Sequence, residues 1–163
     1  MNVLVLLRAL TYAALFVGLL LVYLPGRVLS RAGSVRPAES SVQRVLGLTI
    51  ATAGGLLAVW CILTFVAIGR GTPAPFDPPR RLVTRGPYRF VRNPMYIGAG
   101  LALAGAALYS ASFPLLAYAA VFVLVTHLLV VGYEETALRQ SFGEEYEAYC
   151  SRVRRWWPRV WRR

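Results

Sequence analysis

Apolar residues run along this chain in long blocks, and the polar ones are gathered between the blocks rather than interleaved with them. Residues 9–24 and 45–68 carry no charge, and the second block is long enough to cross a ~30 Å hydrocarbon core. Two more blocks, 94–109 and 113–133, are separated only by Ser110-Ala111-Ser112, which predicts a tight helical hairpin whose second arm opens at Pro114. The pattern therefore predicts an all-α polytopic bundle with about four transmembrane helices, forming a single membrane domain over residues 1–163. The first block has Arg8 as a basic flank, as a signal peptide would, but it continues into Tyr23-Leu24-Pro25-Gly26 without a small-x-small cleavage site. It is read as a retained helix.

After Phe142-Gly143 the pattern changes. Tyr146, Tyr149, Cys150, Val153 and Trp157 recur at helical spacing, predicting a C-terminal amphipathic helix on the membrane surface within a tail of residues 142–163. Trp156, Trp157 and Trp161 among arginines suit the interfacial belt and anionic lipid headgroups. A basic, aromatic tail also suits nucleic acid. Beside four spans the membrane explanation takes precedence, so membrane lipids are the expected partners and nucleic acid is not.

Composition supports this. Of 163 residues 57% are hydrophobic and the mean hydropathy is +0.54, too apolar for an ordinary soluble domain of this size. The net charge is +11, and all 18 basic residues are arginine. They cluster at 27–44, 70–92 and 139–163, and the 110–112 turn has none. The positive-inside rule then places that turn outside and the C-terminus in the cytoplasm, as in a cytoplasmic-membrane protein. Four alternating spans also put the 25–44 loop outside, although it carries Arg27, Arg31, Arg36 and Arg44 against Glu39 alone. Either the first span is unusual or those arginines sit at an interface. Cys61 and Cys150 suggest reduced structural thiols rather than a disulfide framework or a metal site. The chain has no P-loop, GxGxxG or HExxH, which disfavours soluble nucleotide folds.

Candidate chemistry gathers at two places. In residues 85–98, Arg85, Arg89 and Arg92 with Tyr88 and Tyr96 directly precede or enter an apolar run. Asn93 is placed as an N-cap and Pro94 as the first helical residue. Free N–H groups at a helix start, together with guanidinium groups, favour an anionic group such as a carboxylate or phosphate. The alternative is that these arginines meet only lipid headgroups. At the end of the fourth block lie Glu134 and Glu135, costly at a membrane boundary unless solvated or paired. They either pair with Arg139 or the arginines of 80–92, or line a polar pocket. The short turn makes the last two helices antiparallel neighbours, which brings Asn93 to Tyr96 beside Tyr133 to Leu138. His127, the only histidine, is seven residues before Glu134, on roughly the same face and about 10 Å deeper. At that depth it is a functional candidate, while a lone histidine in a bundle also serves as a neutral packing residue.

Three stretches together carry a resemblance. Leu-Val-Thr-Arg-Gly-Pro-Tyr-Arg-Phe-Val-Arg-Asn-Pro-Met-Tyr-Ile-Gly (82–98), Glu-Glu-x-x-Leu (134–138) and Phe-Gly-Glu-Glu-Tyr-x-x-Tyr (142–149) resemble the isoprenylcysteine carboxyl methyltransferase family and its phospholipid-methyltransferase relatives over residues 70–157. The resemblance implies an integral-membrane methyltransferase that uses S-adenosylmethionine without a Rossmann domain and holds it between the cytoplasmic ends of the last two spans. Carried over residue by residue, it implies cofactor contacts at Arg80, Arg81, Leu82 and Val83, at Tyr88, at Asn93, Pro94, Met95 and Tyr96, and at Glu134, with the cofactor loop over about 70–93. Arg92 and its neighbours are expected to hold the cofactor's carboxylate. His127 and Glu134 are the candidate catalytic bases.

Two departures from the family pattern bear on chemistry. Asn93 stands where histidine is common; asparagine does not titrate near neutrality, so it would orient ligand and cap the helix. Val130 stands where isoprenylcysteine enzymes place a substrate-receiving arginine, which argues against a prenylcysteine carboxylate. Methyl transfer is an in-line displacement from a sulfonium and needs alignment and exclusion of water rather than a triad or metal. The expected acceptor is lipophilic or a small membrane-permeant molecule, its accepting atom a carboxylate oxygen, an amine or a thiol. The rival from another class is a non-catalytic membrane scaffold, sensor or carrier, separated from the enzyme by whether the protein binds the cofactor.

Overall fold

The computed structural model describes Thr11 and residues 17–31, 40–69 and 81–158, and among these every regular element is helical. Helix α1 (Leu24–Arg31) continues from a π-helical turn, Gly18–Tyr23, without a break. The sequence pattern ends the first block near residue 24, yet the helix passes straight through Pro25. Proline lacks an N–H and crowds the preceding turn, and the wider π turn, in which Leu24 N–H reaches back to the Leu19 carbonyl, makes room for it. Residues 9, 10 and 12–16 of that block lie outside the described residues.

Helix α2 (Ser41–Thr64) begins at Ser40, whose hydroxyl accepts from Gln43 N–H, and runs on into the π turn Phe65–Gly69. Helix α3 (Pro94–Tyr109) ends in a Schellman motif: Ala111 adopts φ 46°, Ser112 N–H reaches the Ala107 carbonyl and Ala111 N–H the Leu108 carbonyl. Ser112 then caps helix α4 (Phe113–Leu129) through Leu115 N–H. The hairpin expected from the sequence is thus present.

Helix α4 does not stop at the expected boundary near residue 133. It continues through a π turn, Val130–Glu134, into α5 (Glu135–Arg152), which bends at Gly143, where φ is 49° and ψ −121°. Among the described residues two continuous helices, Ser41–Gly69 and Phe113–Arg152, are long and apolar enough to cross a membrane. The apolar part of the second ends before Glu134. Helix α3 is apolar but has 16 residues, about 24 Å at 1.5 Å per residue.

Helices α2 and α3 pack antiparallel, backbone against backbone. Gly47, Ala51, Gly54 and Ala58 face Gly98, Ala102, Gly105 and Tyr109, both series stepping by four, three and four residues. A Cβ on Gly54 would stand 2.5 Å from Ala102 N and 2.6 Å from Gly98 O, so only glycine permits this approach. Gln43 Nε2 donates to the Leu108 carbonyl at 3.0 Å, tying the start of α2 to the 110–112 turn. The opposite end of the bundle therefore gathers the end of α2, residues 81–93, the start of α3 and the end of α4. Between α3 and α4 a core of Tyr96, Ala99, Leu103, Ala119, Phe122 and Val130 closes the hairpin. On the outer faces Leu56, Val59, Trp60 and Leu63 of α2 and Leu116, Leu124 and Leu128 of α4 stay exposed, as lipid-facing positions do.

Candidate functional site

Glu134 and Glu135 are neighbours in sequence, but successive helical residues point about 100° apart, and the two carboxylates serve different centres. Glu134 receives the hydroxyl of Tyr96, which stands buried in the first turn of α3. Tyr88 lies close by, in the 3-10 turn Gly86–Arg89, packed with Cys61 and Val83. Burial first, then the neighbouring Cys61, Tyr149 and Glu134, hold the Tyr88 phenol well above its ordinary pKa, so it stays a neutral hydroxyl. Met95 packs against this group and against the α3–α4 core. Val83, Tyr88, Met95, Tyr96 and Glu134 thus come together at one end of the bundle, from segments far apart in sequence.

Glu135 is 3% exposed and collects arginines from three segments. Arg155 of the tail donates Nε to Oε1 at 2.6 Å and Nη2 to Oε2 at 2.9 Å; Arg92 Nη2 lies 3.3 Å from Oε1 and Arg139 Nη2 3.7 Å from Oε2. Burial alone raises this carboxyl's pKa, but the Arg155 hydrogen bonds and the charges of Arg92, Arg155 and Arg139 outweigh it and hold the group below the usual carboxylate range. The pairing of a glutamate with Arg139 and with the 80–92 arginines is realised at Glu135, not at Glu134. Arg92 also donates Nη1 to Cys150 Sγ at 2.6 Å and to Tyr146 OH at 3.5 Å. Its Nε is buried with no hydrogen-bond partner among the described residues.

The other residues expected to touch the cofactor are more scattered. Arg80 lies outside the described residues, and Arg81 is exposed. Leu82 packs on Tyr146, Tyr149 and Val153. Pro94 is buried at the start of α3. Asn93 sits at the N-cap position but its side chain caps nothing; Nδ2 donates instead to the Arg155 carbonyl at 3.3 Å. The tail draws it away from the helix start. His127 does not share a face with Glu134 as a spacing of seven suggests, because the intervening π turn inserts about one residue and rotates the helix beyond it by roughly 100°. Its Nδ1 accepts the indole N–H of Trp156 at 3.1 Å.

Three of the tail's apolar residues that recur at helical spacing are covered by protein. Tyr146, Tyr149 and Val153 bury against Leu82, Leu138 and Phe142. Tyr149 OH donates to the Tyr88 carbonyl at 2.6 Å, Arg92 N–H to the Arg154 carbonyl at 2.9 Å, and Val91 forms a parallel bridge with Arg154. Tyr146, Tyr149, Arg155 and Trp156 are the site residues that sequence reasoning missed. The helical spacing of the two tyrosines is visible, but it does not say which surface they cover.

The sequence model of the phospholipid methyltransferase family matches residues 42–145, well over half of the chain, from the first turn of α2 through α3 and α4. Among curated proteins the chain is similar to the nickel-cobalt-cadmium resistance protein NccN of Alcaligenes xylosoxydans xylosoxydans, 29% identical over 116 residues. That match covers 71% of this chain and 48% of NccN, so the chain spans about half the length of that relative. No solved structure matches the chain.

Proposed function

We propose, from the premise that this chain belongs to the phospholipid methyltransferase family, that it transfers a methyl group from S-adenosylmethionine to a lipophilic or small membrane-permeant acceptor where residues 81–96 meet Glu134. The observation that carries the reading is the Tyr96–Glu134 hydrogen bond beside buried Tyr88, a polar centre built by separate segments at the boundary of an otherwise apolar bundle. Such groups are costly at a membrane boundary without a task.

The residues present fit the cofactor. Arg92 keeps one buried guanidinium N–H unpartnered among the described residues, a donor suited to a carboxylate. Glu134 has acceptor capacity beyond Tyr96 for ribose hydroxyls, and Met95, Val83 and Tyr88 offer apolar and aromatic walls for a purine. When bound, S-adenosylmethionine supplies an electrophilic methyl on a sulfonium. The protein's part is to orient the two reactants and exclude water. His127 and Glu134 are the groups proposed to take the acceptor's proton. Val130, 1% exposed in the α3–α4 core, offers no cation there, which favours a neutral or polar-headed acceptor over a carboxylate. The arginine asymmetry supports a four-span arrangement with this end of the bundle facing the cytoplasm.

Calorimetric titration of the purified protein with S-adenosylhomocysteine tests the reading. Saturable binding is expected, weakened by roughly 1–3 kcal/mol in Glu134→Gln, the range for losing a charged hydrogen-bond partner. Absence of binding to a folded protein would favour the non-catalytic scaffold, sensor or carrier.

A further inference from the structure

Trp156 takes part in none of the contacts proposed for the cofactor, yet several contacts act together to place it. The tail turns back after α5 and is fixed by main-chain contacts of its last described turn: Arg92 N–H to the Arg154 carbonyl at 2.9 Å and Asn93 Nδ2 to the Arg155 carbonyl at 3.3 Å. The Arg155 side chain adds its pair of hydrogen bonds to Glu135. The next residue turns inward. Trp156 packs against the core that contains Tyr96, Phe122 and Val130. Its indole N–H donates to His127 Nδ1 at 3.1 Å, with ring centroids 5.8 Å apart. Trp157, one residue on, is 76% exposed. An interfacial anchor would leave its ring open, as that of Trp157 is, whereas Trp156 is partly buried against the core cluster to which Tyr96, the partner of Glu134, belongs.

Its chemistry is that of a ligand: a flat apolar body with a single N–H, set on an apolar wall and donating to the chain's one imidazole. The contact also fixes His127. With Nδ1 accepting, the neutral ring carries its proton on Nε2. Whatever displaces the indole must replace both the apolar contact and the donated hydrogen bond, or leave a half-buried acceptor unpaired.

We propose that Trp156 fills the acceptor seat as an intramolecular stand-in, and that the acceptor is a compact apolar or aromatic molecule with one X–H donor, a thiol, phenol or amine, that displaces the indole and takes over its hydrogen bond to His127 Nδ1. The word acceptor depends on the methyltransferase reading; the seat is a binding claim that turnover is not needed to test. The arrangement makes the tail a competitor for the seat, so occupancy by a free molecule is reduced by the fraction of protein in which Trp156 is in place.

His127 being the sole histidine, ring-¹⁵N-labelled histidine gives one imidazole spectrum in the full-length protein in micelles. The wild type is expected to show Nε2 protonated and Nδ1 hydrogen-bonded. Trp156→Phe keeps the ring and removes the N–H, so Nδ1 should be released while the seat stays filled. Trp156→Ala should release Nδ1 and empty the seat, and titrating phenol or benzenethiol should restore the hydrogen-bonded Nδ1 shift saturably, at least ~10-fold tighter than in wild type or Trp156→Phe. Trp156→Leu, which retains apolar contact but leaves room, carries the same expectation should Trp156→Ala fail to fold. Equal probe affinity in wild type and the emptied variants, or no response of His127 to either probe, overturns the proposal. If the probes titrate as expected but S-adenosylhomocysteine does not bind, the seat stands and the methyltransferase reading falls.

Discussion

Arg155 grips Glu135 with two hydrogen bonds, at 2.6 and 2.9 Å, from twenty positions further along the chain. The pair closes the tail onto the end of the bundle, and Glu135 is the only carboxylate that Arg92, Arg139 and Arg155 share there among the described residues. Removing it leaves Arg92, itself nearly buried, without its counter-charge. Breaking a buried pair this way costs about 3–5 kcal/mol when both partners are fully buried. Arg155 keeps 32% of its side chain exposed, so a loss of about 2–3 kcal/mol is expected for Glu135→Ala. Thermal unfolding in detergent should show a lower Tm for Glu135→Ala and a smaller drop for Arg139→Ala, whose arginine is exposed.

The same cluster sets an acid limit. The Glu135 carboxyl is held below its ordinary value of 4.5 in the folded protein, so its stabilisation is complete above the unfolded value and is lost as pH falls through the folded one. The wild type should therefore lose stability on acidification below about pH 4.5, the unfolded carboxyl value. Glu135→Gln, less stable at neutral pH, should show a flatter acid limb. Parallel acid limbs for the two proteins would assign the effect to other carboxylates.

The hairpin was legible because apolar runs on either side of Ser110-Ala111-Ser112 leave few alternatives, and the convergence of Tyr96 with Glu134 is the outcome of two antiparallel helices joined by a short turn. What was illegible came from features that leave no simple pattern. A π turn at Val130–Glu134 rotates Glu134 away from His127. Tyr146, Tyr149 and Val153 read as amphipathic whether the covering surface is lipid or residues 82–92, and only the fold shows that it is the loop. Trp156 has the composition of an interfacial residue and the position of a core one. The Gly47–Ala51–Gly54–Ala58 series went unread for a similar reason: small residues also stand at Ala53 and Gly55, and only the fold shows which of them meet α3.

That series makes a paired prediction with an internal control. A methyl group on Gly54 would meet backbone atoms of α3 at 2.5 and 2.6 Å, and backbone cannot swing aside as a long side chain can. On Gly55, one residue away, a methyl group meets nothing within 4 Å. Gly54→Ala should force α2 and α3 apart and cost about 1–3 kcal/mol, as overpacking does. Gly55→Ala should be neutral or stabilising by up to about 1 kcal/mol from helix propensity. Tm values of the two variants in the same detergent check the contrast, and equal effects would show that the helices do not approach as closely as the structure has them.

Arg92 offers the sharpest distinction between a cofactor ligand and a lipid anchor. Its side chain is only 12% exposed, its Nη atoms are engaged by Glu135, Cys150 and Tyr146, and its Nε is buried without a partner among the described residues. Such a group is badly placed to meet headgroups. Arg89 is exposed, its guanidinium 4.4 Å above the ring of Phe90, and is well placed to do so. Under the proposed function, Arg92→Ala should weaken S-adenosylhomocysteine binding by about 1–3 kcal/mol, the range for a charged hydrogen bond, equally in neutral and anionic lipid. Glu135 keeps Arg155 and Arg139, so the fold should suffer less than in Glu135→Ala. Arg89→Ala should leave ligand affinity unchanged and reduce only the preference for anionic bilayers, a screened surface effect. The measurement is calorimetry in nanodiscs of zwitterionic lipid and of the same lipid with an added anionic component. A loss in Arg92→Ala confined to the anionic discs would move Arg92 to the membrane surface and leave the cofactor's carboxylate to another arginine.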